Sequence, residues 1–174
     1  MASAHNLPET INLIGMPGAG KSTVGVILAK RTGLRFSDTD LDIQVREDAT
    51  LQDILEQHGY EYLRDVEREV LLTIDLERAI IATGGSVVYS QSAIERLRQA
   101  GPVVYLAVDL ATLEQRVNSA PLRGIASSSQ QSFADVYAER TPLYQRYADI
   151  TVDATNGTAE QIATRILQQL DIAA

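Results

Sequence analysis

The run Gly15-Met16-Pro17-Gly18-Ala19-Gly20-Lys21-Ser22 satisfies the pattern G-x4-G-K-[ST], and no other stretch of the chain restricts the fold as much. Such a loop works only between a buried strand and a helix. Both flanks agree: Ile11-Asn12-Leu13-Ile14 reads as a buried strand, and Val24, Val26, Ile27 and Leu28 open a helical pattern that Gly33 closes as its C′ residue. The glycines let backbone N–H groups turn inward around phosphate oxygens, and the helix start adds its positive dipole end. A chance glycine-rich turn would not require strand and helix on the correct sides. Gly15, Gly18, Ala19, Gly20, Lys21, Ser22 and Thr23 are therefore the expected nucleotide-binding residues, with Lys21 reaching the β- and γ-phosphates of ATP and the Ser22 hydroxyl joining the shell of a Mg2+ ion.

Further strands read at 34–37, 79–83, 103–106 and 150–152. Helical patterns separate them: Leu51 to Leu72, divided by Gly59; Ser92 to Arg98; and a last helix to Leu170 that opens on a Thr158/Gln161 capping box. Strands alternating with helices predict an α/β fold, a parallel sheet covered on both faces.

At 174 residues the chain suits one domain, 1–174, able to bury a core without staples. The net charge of −8 excludes a general electrostatic grip on nucleic acid or anionic lipid, so an anionic substrate must be met by a few local cations. Cysteine is absent, which removes disulfides, thiolate metal sites and a cysteine nucleophile. No apolar leader is visible from Met1 to Glu9 and no run is long enough to span a membrane, so a cytoplasmic, monomeric protein is expected. His5 and His58 read as exposed residues without chemistry.

Asp38-Thr39-Asp40 follows the second strand, at the carboxyl edge of the sheet beside the phosphate loop. The triplet is read either as helix-capping aspartates in a turn or as an acidic site. In the second case Asp38, nearer the strand, serves the metal through water, and Asp40 orients and deprotonates an acceptor hydroxyl. No strand ends in the acid that usually follows it in phosphate-loop proteins; the strand at 79–83 runs into Gly84-Gly85-Ser86. The stretch 118–131, with Pro121, Gly124 and a polar serine-glutamine run, breaks the helical pattern. It reads as a solvated loop or as a lid, at about 117–131, over an active site.

Together these features resemble the shikimate kinase family over nearly the whole chain. The resemblance rests on the phosphate loop, Asp38-Thr39-Asp40, Arg64 with Glu67 in an F-R-x-x-E position, Thr83-Gly84-Gly85, and Glu139-Arg140-Thr141-Pro142-Leu143-Tyr144. It implies a P-loop, nucleoside-monophosphate-kinase-like three-layer α/β/α fold with a five-stranded parallel sheet, and transfer from ATP to the 3-hydroxyl of shikimate, a small carboxylated polyol. By position, Lys21, Asp40 and Arg140 are the implied catalytic residues. Asp40 holds the acceptor hydroxyls, Arg64 and Arg140 clamp the carboxylate, Gly84 and Gly85 offer backbone, and Arg116 packs on adenine. Glu67, three residues beyond Arg64 on one helix, reads either as the group that orients it or as its partner in a surface ion pair.

The chain departs from the family at several positions. The lid signature R-P-L-L reads Ala120-Pro121-Leu122-Arg123, the third glycine of G-G-G is Ser86, two pocket aromatics are Leu55 and Leu63, and Tyr60 replaces an acid. These changes leave open a related kinase for another hydroxy-carboxylate, or a catalytically weak nucleotide-binding regulator, which Ala120 in place of the lid arginine favours.

Overall fold

The apolar run before the phosphate loop forms β1 (Thr10–Ile14), in which every residue is buried. A strand buried on both faces belongs at the centre of a parallel sheet. The computed structural model describes residues 8–119 and 124–170 and shows β1 in that position. Around it lie β2 (Arg35–Asp38), β3 (Ala79–Ala82), β4 (Val103–Ala107) and β5 (Ile150–Asp153), in the order β2-β3-β1-β4-β5 with every pairing parallel. The strand order reverses about β1, and the crevice beyond the carboxyl ends of β1 and β3 is where open α/β sheets bind ligands.

Among the described residues, seven α-helices connect and cover the strands: α1 (Lys21–Thr32), α2 (Thr39–Glu47), α3 (Leu51–Thr73), α4 (Gln91–Ala100), α5 (Leu110–Asn118), α6 (Phe133–Tyr147) and α7 (Ala159–Gln169). Local chemistry sets their ends. Gly33 adopts the left-handed conformation and closes α1 with its N–H on Ala29 O, while Thr158 and Gln161 form the reciprocal capping box of α7. Gly59 interrupts α3 with a non-helical φ of 84°, as the sequence indicates.

Two apolar clusters result among the described residues. The larger surrounds the sheet, where Ile11, Leu13, Ile80 and Val104 are fully buried. Truncating one such leucine to alanine costs about 2–5 kcal/mol. The smaller lies beneath α2 and α3 and is completed by Ala126, which returns from the connection before α6. That return brings residues 124–126 over the carboxyl edge of the sheet. Among the described residues, no helix is long and apolar enough to cross a membrane.

Several boundaries differ by a residue or two from the sequence reading, and two of them bear on the site. The second strand is shifted by a residue, so Asp38 is both its last residue and the N-cap of α2. The third strand stops at Ala82 because Thr83 turns inward, its N–H and its hydroxyl both donating to Leu13 O at 3.2 and 2.8 Å.

Candidate active site

The phosphate loop connects β1 to α1, and Gly18 and Gly20 take φ values of 84° and 92° that favour glycine. Lys21 is nearly buried at the start of α1, and its Nζ donates to Gly15 O at 2.8 Å and Met16 O at 2.9 Å. Burial lowers its pKa to about 8, against the pull of Asp40, Asp38 and Glu67, which favour the charged form. Phosphate oxygens would add to that pull. Ser22 and Thr23 line the cleft from the same turn of helix.

Asp38 caps α2, as one reading of Asp38-Thr39-Asp40 expects, and it also faces the phosphate loop. Asp38 Oδ1 accepts from Asp40 N at 3.0 Å and caps α2, while its Oδ2 accepts from Ser22 Oγ at 2.5 Å. A hydroxyl beside a carboxylate is an all-oxygen pair that suits a hard ion such as Mg2+, which binds through one or two carboxylates, substrate phosphates and water. Thr39 is fully buried, and its Oγ1 accepts from Gly84 N at 3.1 Å. The middle residue of the triplet thus fixes the turn after β3. Asp40 projects into the cleft.

Across from Asp40 stands Glu67 of α3. A methyl group on Gly84 would fall 2.2 Å from Glu67 Oε1 and 3.1 Å from Asp40 Oδ1, so the two carboxyls converge above this glycine. Glu67 is buried, and its Oε1 has no partner among the described residues. Burial, reinforced by the neighbouring Asp40, pushes its pKa up to about 8. Near neutral pH the pair therefore contains a carboxyl that keeps its proton. Its other oxygen accepts from the Ser86 hydroxyl. Here the geometry corrects the expectation that Glu67 orients Arg64: the serine in the third glycine position supplies the partner.

Arg64 and Arg140 come together on a backbone atom. Arg64 Nε donates to Ala126 O at 3.0 Å and an Arg140 terminal nitrogen donates to the same oxygen at 2.8 Å. Arg140 is only 1% exposed, lines the cleft, and has an Nε that meets no acceptor among the described residues. A buried guanidinium with a free donor is a seat for an anion. Arg64 lies on the far side of Ala126 O and lines a neighbouring depression, together with Tyr89 and Arg68. Gly85 abuts Arg140, and its carbonyl accepts from the buried Tyr144 hydroxyl at 2.5 Å.

The cleft that joins these groups has a volume of about 370 Å³ and contains Lys21, Ser22, Asp38, Asp40, Glu67 and Arg140. Gly84, Gly85 and Leu63 line it as well, whereas Leu55 packs against the smaller apolar cluster. Arg116 sits behind the phosphate loop, donating to Gly18 O at 3.1 Å and Ala154 O at 3.4 Å. The expectations for Ala120 and Arg123 lie outside the described residues. Sequence reasoning missed Thr39 and Tyr144 as supports, although both stand inside the motifs quoted above. It also missed Tyr89 and the Ala126 carbonyl, and a backbone oxygen leaves no signature in a sequence.

The family model described as shikimate kinase matches residues 17–171. The chain belongs to the shikimate kinase family. Shikimate kinase 2 of Enterobacter sp. (strain 638) is 33% identical to it, over 96% of this chain and 98% of that protein. The structure of shikimate kinase from Acinetobacter baumannii in complex with shikimate superposes with a TM-score of 0.82 at 34% identity, covering 95% of this chain and 94% of that one. The Aquifex aeolicus shikimate kinase gives a TM-score of 0.78 at 29% identity, covering 92% and 95%. A deoxyadenosine kinase from M. mycoides, at 15% identity and a TM-score of 0.59, shares the fold. As a member of this family the chain is an ATP-dependent phosphotransferase that uses Mg2+, built on the P-loop α/β fold expected from its sequence.

Proposed function

We propose that this chain, as a single kinase domain over 1–174, transfers the γ-phosphoryl group of ATP to the 3-hydroxyl of shikimate. One observation carries the reading: Lys21 and Ser22 from the phosphate loop face Asp40 and Arg140 across one cleft. Lys21 meets the β- and γ-phosphates and offsets the charge that gathers between donor and acceptor. Asp40 accepts the proton of the acceptor hydroxyl as that oxygen attacks the γ-phosphorus, and the bond from that phosphorus to the bridging oxygen breaks, leaving ADP. Arg140, seconded by Arg64, receives the acceptor carboxylate. Mg2+, held on the side of Ser22 and Asp38, would supply charge neutralisation and alignment of the phosphates. Arg116, next to Gly18, packs on adenine.

A second reading, another small hydroxy-carboxylate as acceptor, is favoured by Leu63 on the cleft wall, where an aromatic would leave less room. A cytoplasmic, monomeric enzyme goes with either reading. The deciding experiment is turnover of purified protein with ATP and Mg2+ against shikimate, quinate, gluconate and nucleoside monophosphates. Shikimate should give the highest kcat/KM. A higher value for another acid would transfer the assignment to it, and none for any acceptor would favour a regulator.

A further inference from the structure

Arg64 and Arg140 would repel one another wherever both approach the same carboxylate, so something must hold their like charges together. The Ala126 carbonyl accounts for part of this. The other common neighbour is Tyr89, in the 3-10 turn Val87–Tyr89 after β3. Arg64 Cζ lies 4.0 Å from the centroid of its ring and Arg140 Cζ lies 5.4 Å from the same centroid. Both distances are within the range where the negative face of an aromatic ring attracts a guanidinium. Tyr60 approaches Arg64 as well, at 4.9 Å.

The ring is fixed at both ends. Its hydroxyl donates to Glu139, whose other oxygen accepts from Gln131 Nε2 at 2.9 Å. Its backbone N–H donates to Ser86 O at 3.1 Å, which ties it to the turn carrying Gly84 and Gly85. We propose that Tyr89 is a positioning residue that holds both guanidinium groups against one aromatic ring and so sets where the acceptor's carboxylate lands. This rests on the reading that Arg140 and Arg64 receive that carboxylate. It also explains how the chain manages without aromatics at Leu55 and Leu63: its aromatic surface lies under the cations instead of along the cleft wall.

The test compares Tyr89→Leu, which removes the ring, with Tyr89→Phe, which keeps the ring and removes only the hydroxyl. The leucine variant should raise the KM for shikimate about 10-fold while kcat and the KM for ATP stay close to the natural values. The phenylalanine variant should restore the natural KM. Independently of any substrate, the Nε–Hε resonances of Arg64 and Arg140 should be shifted by the ring in the natural protein and in Tyr89→Phe, and should lose that shift in Tyr89→Leu. A folded leucine variant with unchanged KM and unchanged arginine resonances would overturn the proposal. Equal impairment in both variants would overturn it too, assigning the role to the hydroxyl and its bonds with Glu139 and Arg140. If Arg140→Ala itself leaves the KM for shikimate unchanged, the acceptor reading has failed, and the arginine resonances alone decide whether Tyr89 carries the two cations.

Discussion

The hydroxyl of Ser86 donates to Oε2 of Glu67, which ties the buried carboxyl of α3 to the turn after β3 and leaves Arg64 to Ala126 and Tyr89. A stability profile follows from that burial. Glu67 holds its proton to about pH 8 in the folded protein, against an ordinary value of 4.5. Between those values the folded state binds the proton and the unfolded state does not, so stability falls as pH rises. Lys21, lowered from 10.5 to about 8, acts in the opposite sense above that point: the unfolded chain keeps a proton that the folded one has lost, and stability rises. Nucleotide-free protein should therefore show, from these groups, a minimum near pH 8. Urea unfolding across the range checks this, and Glu67→Gln should flatten the descending limb. An unaltered limb in that variant would remove Glu67 from the account.

Lys21→Ala should lower phosphoryl transfer by about 10²–10³-fold, the usual cost of one transition-state donor. The fold should persist, since Nζ is bonded only to carbonyls of its own loop among the described residues. Circular dichroism and a coupled ADP assay measure the two sides. Near-natural turnover by the folded variant would exclude the lysine from catalysis.

One substitution separates the capping role of Asp38 from the metal role proposed for it. Asparagine caps a helix about as well as aspartate but carries no charge for a cation. Asp38→Asn should thus keep the thermal midpoint and raise the Mg2+ concentration needed for half-maximal turnover. An unchanged Mg2+ requirement would confine Asp38 to capping α2.

Gly84→Ala drives a methyl group into Glu67 Oε1 and against Asp40. Overpacking of this kind costs about 1–3 kcal/mol. Because both carboxyls must move apart, turnover should fall more steeply than stability, as thermal unfolding and kinetics on the same sample would show. Loss of stability with natural turnover would mean that the convergence of the carboxyls is not needed for transfer.

The fold was legible in the sequence wherever one principle acted alone. The buried run at β1, the phosphate loop, the Gly33 stop and the Thr158/Gln161 box each have a local cause, and each forms where expected. α2 was not drawn from its sequence, because nine residues rich in aspartate, with Leu41 and Val45 exposed, offer little amphipathic pattern. Within the site, Lys21, Ser22, Asp38, Asp40, Arg140, Gly84 and Gly85 are gathered as their order along the strands predicts. Arg64 faces the next depression beside Tyr60, four residues back on α3, and Tyr89, which only the fold brings to it from the turn after β3.

Activation of the 3-hydroxyl of shikimate by Asp40, for attack on ATP, is the central step of the proposed reaction. Its most direct test is turnover of shikimate by the natural protein and by Asp40→Asn, with the phosphorylated carbon of the product located by 31P–1H correlation. The natural protein should give a single product phosphorylated at the 3-position, and Asp40→Asn, which keeps the shape and loses the base, should be slower by about 10²–10⁴-fold. A different phosphorylated carbon, or an asparagine variant as fast as the natural protein, would contradict the account.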